Sequence, residues 1–142
     1  MEYLRCYAPV SLQAIGHNIG EVRKRLAPGV KLMAVIKADA YGHGACRVGK
    51  YLESQVDYFA VATLEEALEL RESGITRPIL ILSYISPSQY PELVEHNITQ
   101  TIDSPEQADA LEAAAASAGV RAKIHIAVDT GMPRIGFQVT EE

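Results

Sequence analysis

Leu32-Met33-Ala34-Val35-Ile36-Lys37-Ala38-Asp39-Ala40-Tyr41-Gly42-His43-Gly44 is the stretch on which the fold turns. Its first five residues form an unbroken apolar run that ends in β-branched Val35 and Ile36, the composition of a short strand. The run is continuous rather than alternating, which suits a parallel strand covered on both faces. Lys37 follows at once, so a buried strand delivers an amine at its C-terminal end. Parallel α/β sheets and barrels hold their active sites at that end.

The same layout recurs along the chain. Tyr58 to Ala62, Ile79 to Leu82, Ile98 to Ile102 and Ile124 to Val128 are four further apolar runs bounded by turn or cap residues. Helical segments separate them. Thr63-Leu64-Glu65-Glu66 predicts a capping box, with the Thr63 hydroxyl and the Glu66 carboxylate satisfying free N–H groups of a first turn. Ser86-Pro87-Ser88-Gln89 and Ser104-Pro105-Glu106-Gln107 repeat that layout with proline at the first helical position. Gly74 and Gly119 are predicted helix stops. Further helices are expected from Ser11 to about Leu26, before Pro28-Gly29, and from about Ala45 to Ser54. Alanine favours helix, so Ala113 to Ala116 reads as helical. The order is a helix, four βα units and a fifth strand, with right-handed crossovers placing the helices outside a curving parallel sheet. The predicted class is α/β: a partial (β/α)8 barrel of about five parallel strands with flanking helices. A doubly wound open sheet shares this rhythm. A complete barrel takes about 250 residues, and this sequence has 142. The expectation is therefore an incomplete N-terminal barrel domain over 1–142, with two unpaired sheet edges prone to self-association.

Composition narrows the function. Hydrophobic residues make up 48% and charged residues 22%, with a net charge of -5. Thirteen basic against eighteen acidic residues leave no footprint for nucleic acid. Cys6 and Cys46 lack the spacing of a disulfide framework or a zinc site, and no metal is expected. Met1-Glu2-Tyr3-Leu4-Arg5 lacks the layout of a signal peptide and no run approaches a membrane span, so a cytoplasmic protein is expected.

Two segments carry candidate chemistry. Lys37, partly desolvated at a strand end, can be a neutral nucleophilic amine; the plainer alternative is a lysine that snorkels to solvent. Gly42 and Gly44 allow close backbone approach, and the helix start beyond them can face an anion such as phosphate. Tyr41 offers a hydroxyl, and His43 reads as a loop or cap residue. The second segment is Asp129-Thr130-Gly131-Met132-Pro133-Arg134-Ile135-Gly136-Phe137, after the fifth strand and so at the same end of the sheet. Arg134 there can reach a carboxylate or phenolic oxygen through its fork of donors. Asp-Thr-Gly also opens aspartic-protease motifs, but those occur twice in all-β folds, unlike this chain.

Taken together, the two segments resemble the alanine racemases. Lys37 to Gly44 is similar to the cofactor-lysine signature of that family, and Asp129-Thr130-Gly131-Met132 with Arg134-Ile135-Gly136 to a second family segment. Ser11 to Arg25, with His17-Asn18, and Thr63 to Gly74, with Glu66-Ala67 and Leu70-Arg71, also read like the family. The resemblance implies an enzyme dependent on pyridoxal 5'-phosphate that interconverts L- and D-alanine for the bacterial cell wall, with an N-terminal barrel and a β-rich domain, working as a homodimer. It implies that Lys37 holds the cofactor and acts as base on one substrate face. It further implies that Tyr41 contacts the phosphate and that Arg134 contacts the phenolic oxygen and the substrate carboxylate. A serine-preferring racemase would share both segments, and a non-catalytic module that binds the same cofactor is the reading outside enzymes. Two departures stand out. Ala127 occupies a position where many members carry a lysine that helps orient the arginine, and Pro133 replaces a common glycine. The family's opposite-face tyrosine lies beyond position 142, so this chain alone is expected to be a fragment without efficient racemase activity.

Overall fold

The computed structural model describes residues 6–138; Met1 to Arg5 lie outside the described residues. A first helix, α1 (Leu12–Arg25), precedes a regular alternation. This runs β1 (Met33–Val35), a single turn α2 (Lys37–Gly42), α3 (Ala45–Leu52), β2 (Tyr58–Val61), α4 (Leu64–Glu72) and β3 (Ile79–Ile81). A 3-10 turn at Pro87–Gln89 leads into α5 (Tyr90–Glu95), β4 (Thr99–Ile102), α6 (Pro105–Ser117) and β5 (Lys123–Ile126). Two short strands follow, β6 (Val128–Asp129) and β7 (Phe137–Gln138).

The five main strands form one parallel sheet in the order β1-β2-β3-β4-β5. Sequential parallel order with a helix in each crossover is the curved-barrel arrangement rather than a doubly wound one, and the sheet stays open between β1 and β5. Register places Ala34 beside Phe59 and Phe59 beside Ile79. This row faces the helices, and with Leu64, Leu70, Leu93 and Leu111 from α4, α5 and α6 it builds the core. Phe59, Ile79 and Ile81 are completely buried.

Three expectations change in the structure. The strands at the edges are not covered on both faces: Val35 is exposed, and so are all four residues of β5. The described part of the sheet is open there, whereas β2 and β3 have a neighbour on each side. The fifth strand ends at Ile126 rather than Val128: Ala127 still donates its N–H to Ile102, but Val128 pairs with Phe137 instead. The Thr63 capping box is half formed. The Thr63 hydroxyl accepts the Glu66 N–H at 3.3 Å, but the Glu66 carboxylate turns to the amides of Ala62 and Ala38. The box at Ser86 and Gln89 is complete. Gly74 and Gly119 end their helices with positive φ, and Ile75 and Val120 return N–H bonds to Leu70 and Ala115 in the six-to-one pattern of a Schellman stop.

Candidate active site at the C-terminal ends of the strands

Lys37 is the second residue beyond β1, and the backbone after it reverses its hand. Ala38, Asp39, Ala40 and Tyr41 have φ between 51° and 55° and ψ between 51° and 40°. That is one turn of left-handed helix built from non-glycine residues. Each L-residue in this conformation costs about 1–2 kcal/mol, so the turn stores roughly 4–8 kcal/mol that its surroundings must offset. The offsetting contacts are visible. Ala40 donates its N–H to Ile36 and Gly44 to Asp39, both at 2.9 Å. The Asp39 carboxylate accepts the Ala45 N–H at 2.6 Å, and the Glu66 carboxylate accepts the Ala38 N–H at 2.7 Å. Ile36, Ala40 and Ala45 are buried beneath the turn. His43 caps it, its Nδ1 lying 2.8 Å from the Ala40 carbonyl.

The Arg134 loop is built differently. Asp129 accepts the Gly131 N–H on Oδ1 and the Gln138 amide on Oδ2, each at 2.8 Å. The Gly131 backbone bond, followed by the Gln138 bond, holds the Asp129 carboxyl below its ordinary pKa. Gly136 has φ +116°, and a Cβ there would stand 2.6 Å from the Asp129 nitrogen. No other residue fits that close approach. Phe137 then donates its N–H to the Ala127 carbonyl at 2.9 Å, closing the loop.

These two segments meet. A cavity of about 370 Å³ at the C-terminal ends of the strands is lined by Lys37, Leu82, Ser83, Tyr84, Thr101, Arg134 and Ile135. Lys37 arrives from the end of β1, Leu82 to Tyr84 from the end of β3, Thr101 from β4 and Arg134 from the loop between β6 and β7. Thr101 is fixed by donating its hydroxyl to the Ile81 carbonyl at 2.7 Å. The lining holds two cations and no carboxylate. Among the described residues neither the Lys37 amine nor the Arg134 guanidinium has a hydrogen-bond or ion-pair partner. Such a cavity suits a ligand with anionic groups and a reactive carbonyl.

Lys37 and Arg134 are thus brought together across the sheet, as their strand-end positions predict. Tyr41 is not brought with them. It is 61% exposed and lines a separate apolar groove with Ile15, Ile19 and Val35 at the free β1 edge. The α3 N-terminus does not stand open to a phosphate either, because the Asp39 carboxylate occupies it at Ala45. Ser83, Tyr84 and Thr101 were not among the residues singled out from sequence. Their positions at the ends of β3 and β4 were the available signal, since a residue at the end of a neighbouring parallel strand faces the same cavity.

The chain is similar to known racemases in both sequence and fold. The family model described as alanine racemase, N-terminal domain, matches residues 10–142. Alanine racemase 1 of Caldanaerobacter subterraneus subsp. tengcongensis is 54% identical over 129 residues, covering 90% of this chain and 33% of that protein. The solved alanine racemase of Clostridium difficile 630 superposes with a TM-score of 0.84 at 44% identity, covering 92% of this chain and 34% of that one. A histidine racemase from Leuconostoc mesenteroides subsp. sake superposes with a TM-score of 0.80 at 32% identity, covering 89% of this chain and 34% of that one. The chain spans about one third of the length of the relatives it matches.

Proposed function

The chain belongs to the alanine racemase family, and from that premise we propose that it is the cofactor-lysine half of a pyridoxal-phosphate-dependent amino-acid racemase. The observation that carries the reading is the convergence of Lys37 and Arg134, from opposite edges of the sheet, on one cavity without a carboxylate. The side chains present fit the cofactor: a strand-end amine for its aldehyde and a guanidinium for its phenolic oxygen or a substrate carboxylate, in a cavity whose wall includes Thr101. When bound, the cofactor supplies an electron sink for the pair left at the substrate Cα when its proton departs. Lys37 would hold the cofactor through its amine and would take the α-proton from one face of the substrate. Arg134 orients the substrate through its carboxylate. Leu82 and Ile135 add apolar surface to the lining of the cavity. Tyr41 is proposed as a phosphate contact on the sequence resemblance.

Racemisation also needs a group that returns the proton on the other face. We assign it to the part of the relatives' length that this chain does not span, and we expect the chain by itself to be an incomplete domain without racemase activity. Alanine is the substrate we favour because the matching relatives are alanine racemases. The shared fold of a histidine racemase means that side chains in the pocket, not the scaffold, make that choice. A serine-preferring member would be built on the same two segments. A role in D-alanine supply for the cell wall, in a cytoplasmic homodimer, follows from the family resemblance.

The test is to mix the chain with pyridoxal phosphate, reduce with borohydride and map the labelled peptide. Label concentrated at Lys37, and lost in Lys37→Ala, supports the reading. Label spread over Lys24, Lys31, Lys50 and Lys123, unchanged in Lys37→Ala, overturns it.

A further inference from the structure

Glu66 lies in the first turn of α4, yet its carboxylate serves two junctions outside its own helix. Oε1 accepts the Ala38 N–H and Oε2 accepts the Ala62 N–H, each at 2.7 Å. Ala38 begins the left-handed turn, and its amide belongs to the peptide bond that leaves Lys37. Ala62 is the first residue beyond β2. One side chain therefore ties the loop after β1 to the loop after β2, from a residue 28 positions beyond Ala38. A carboxylate at this place is favoured by the N-terminal dipole of α4, and charged acceptors make the stronger bonds to backbone amides. Asp39 holds the exit of the turn through Ala45. Glu66 holds its entrance, next to the lysine itself.

We propose that Glu66 is a positioning residue for Lys37: by fixing the Lys37–Ala38 peptide it aims the lysine into the cavity shared with Arg134. The proposal rests on the reading of Lys37 as the cofactor-holding lysine. Glutamine at this position keeps one accepting oxygen and puts an NH2 group against the second amide, while alanine removes both acceptors. The graded pair separates positioning from folding.

The experiment compares the unaltered chain with Glu66→Gln and Glu66→Ala, each checked by circular dichroism. Two probes are read at each lysine: trace acetylation by acetic anhydride, and capture of pyridoxal phosphate trapped by borohydride. Exposed Lys24 serves as the internal reference. The expected result is a rise of threefold or more in Lys37 acetylation relative to Lys24, with capture at Lys37 falling at least fivefold, more in Glu66→Ala than in Glu66→Gln. A purely structural Glu66 would lower the melting temperature and leave the Lys37-to-Lys24 ratio unchanged in the folded variants, which would overturn the proposal. If Glu66→Ala fails to fold, Glu66→Gln decides the matter by the same ratio. Absence of capture at Lys37 in the unaltered chain counts against the proposed function, whereas an unaltered acetylation ratio counts against Glu66 alone.

Discussion

The turn after β1 and the loop after β5 each deliver one cation to the same cavity, but they are held by different means. The Lys37 turn adopts an unfavourable left-handed backbone and is clamped from outside, by Glu66 of α4 and by the buried residues Ile36, Ala40 and Ala45. The Arg134 loop is clamped from within. Asp129 bonds its own neighbours, Gly136 packs on the Asp129 backbone, and Met132 at the tip is 73% exposed. The lysine thus inherits its position from the folded core, whereas the arginine depends on one carboxylate and one glycine. Local unfolding follows local support, so the two halves should respond differently to the same kind of perturbation.

The largest effect is expected at Gly136. Gly136→Ala forces a Cβ to within 2.6 Å of the Asp129 nitrogen at a φ of +116°. Strain of this kind is worth about 1–3 kcal/mol before the clash is added. Hydrogen exchange should show the β6–β7 pairing lost while the five-stranded sheet stays protected. Loss of protection in β1 to β4 would show that the loop is not self-contained.

A pair of alanine-to-glycine substitutions sharpens the contrast in backbone hand. In an ordinary right-handed helix such as α6, exposed Ala113→Gly should destabilise by about 1 kcal/mol. At exposed Ala38 the same change removes a left-handed penalty of about 1–2 kcal/mol, less the added freedom of the unfolded chain. Ala38→Gly should therefore stabilise by roughly 0.5–1 kcal/mol in urea titrations. Equal losses at both sites would mean that the turn is not strained.

The smallest effect concerns pH. The carboxyl of Asp129 titrates below its ordinary value when folded. Its stabilisation is present above the unfolded pKa, about 3.9 for aspartate, and is lost as pH falls through the depressed folded value. The protection of the Gly131 amide, corrected for the intrinsic exchange rate at each pH, should thus be flat from neutrality to about pH 4 and fall below it, and Asp129→Asn should remove the step. A step near neutral pH would point to another group.

Much of this was legible along the chain. Apolar runs and caps located the strands, and the parallel rhythm put Lys37 and Arg134 at one end of the sheet, where the cavity lies. Less legible was what surrounds them. Thr63 and Glu66 read as a local capping box, but the carboxylate found the Ala38 amide, a partner visible only after β1 and β2 pair. Gly42 and Gly44 do have positive φ, as their type suggested, but the four non-glycines before Gly42 share the left-handed hand with no such signal.

The sequence by itself determined the order of four βα units and a fifth parallel strand, because periodicity, propensity and capping act over a few residues, and its two motifs carried the resemblance to the family and put Lys37 and Arg134 at one end of the sheet. The tertiary structure decided the left-handed turn, the double attachment of Glu66, the closure of the α3 N-terminus by Asp39 and the separation of Tyr41 from the Lys37 cavity. An alanine carries no local signal for positive φ, and only contacts between elements far apart in the chain can hold four such residues in place.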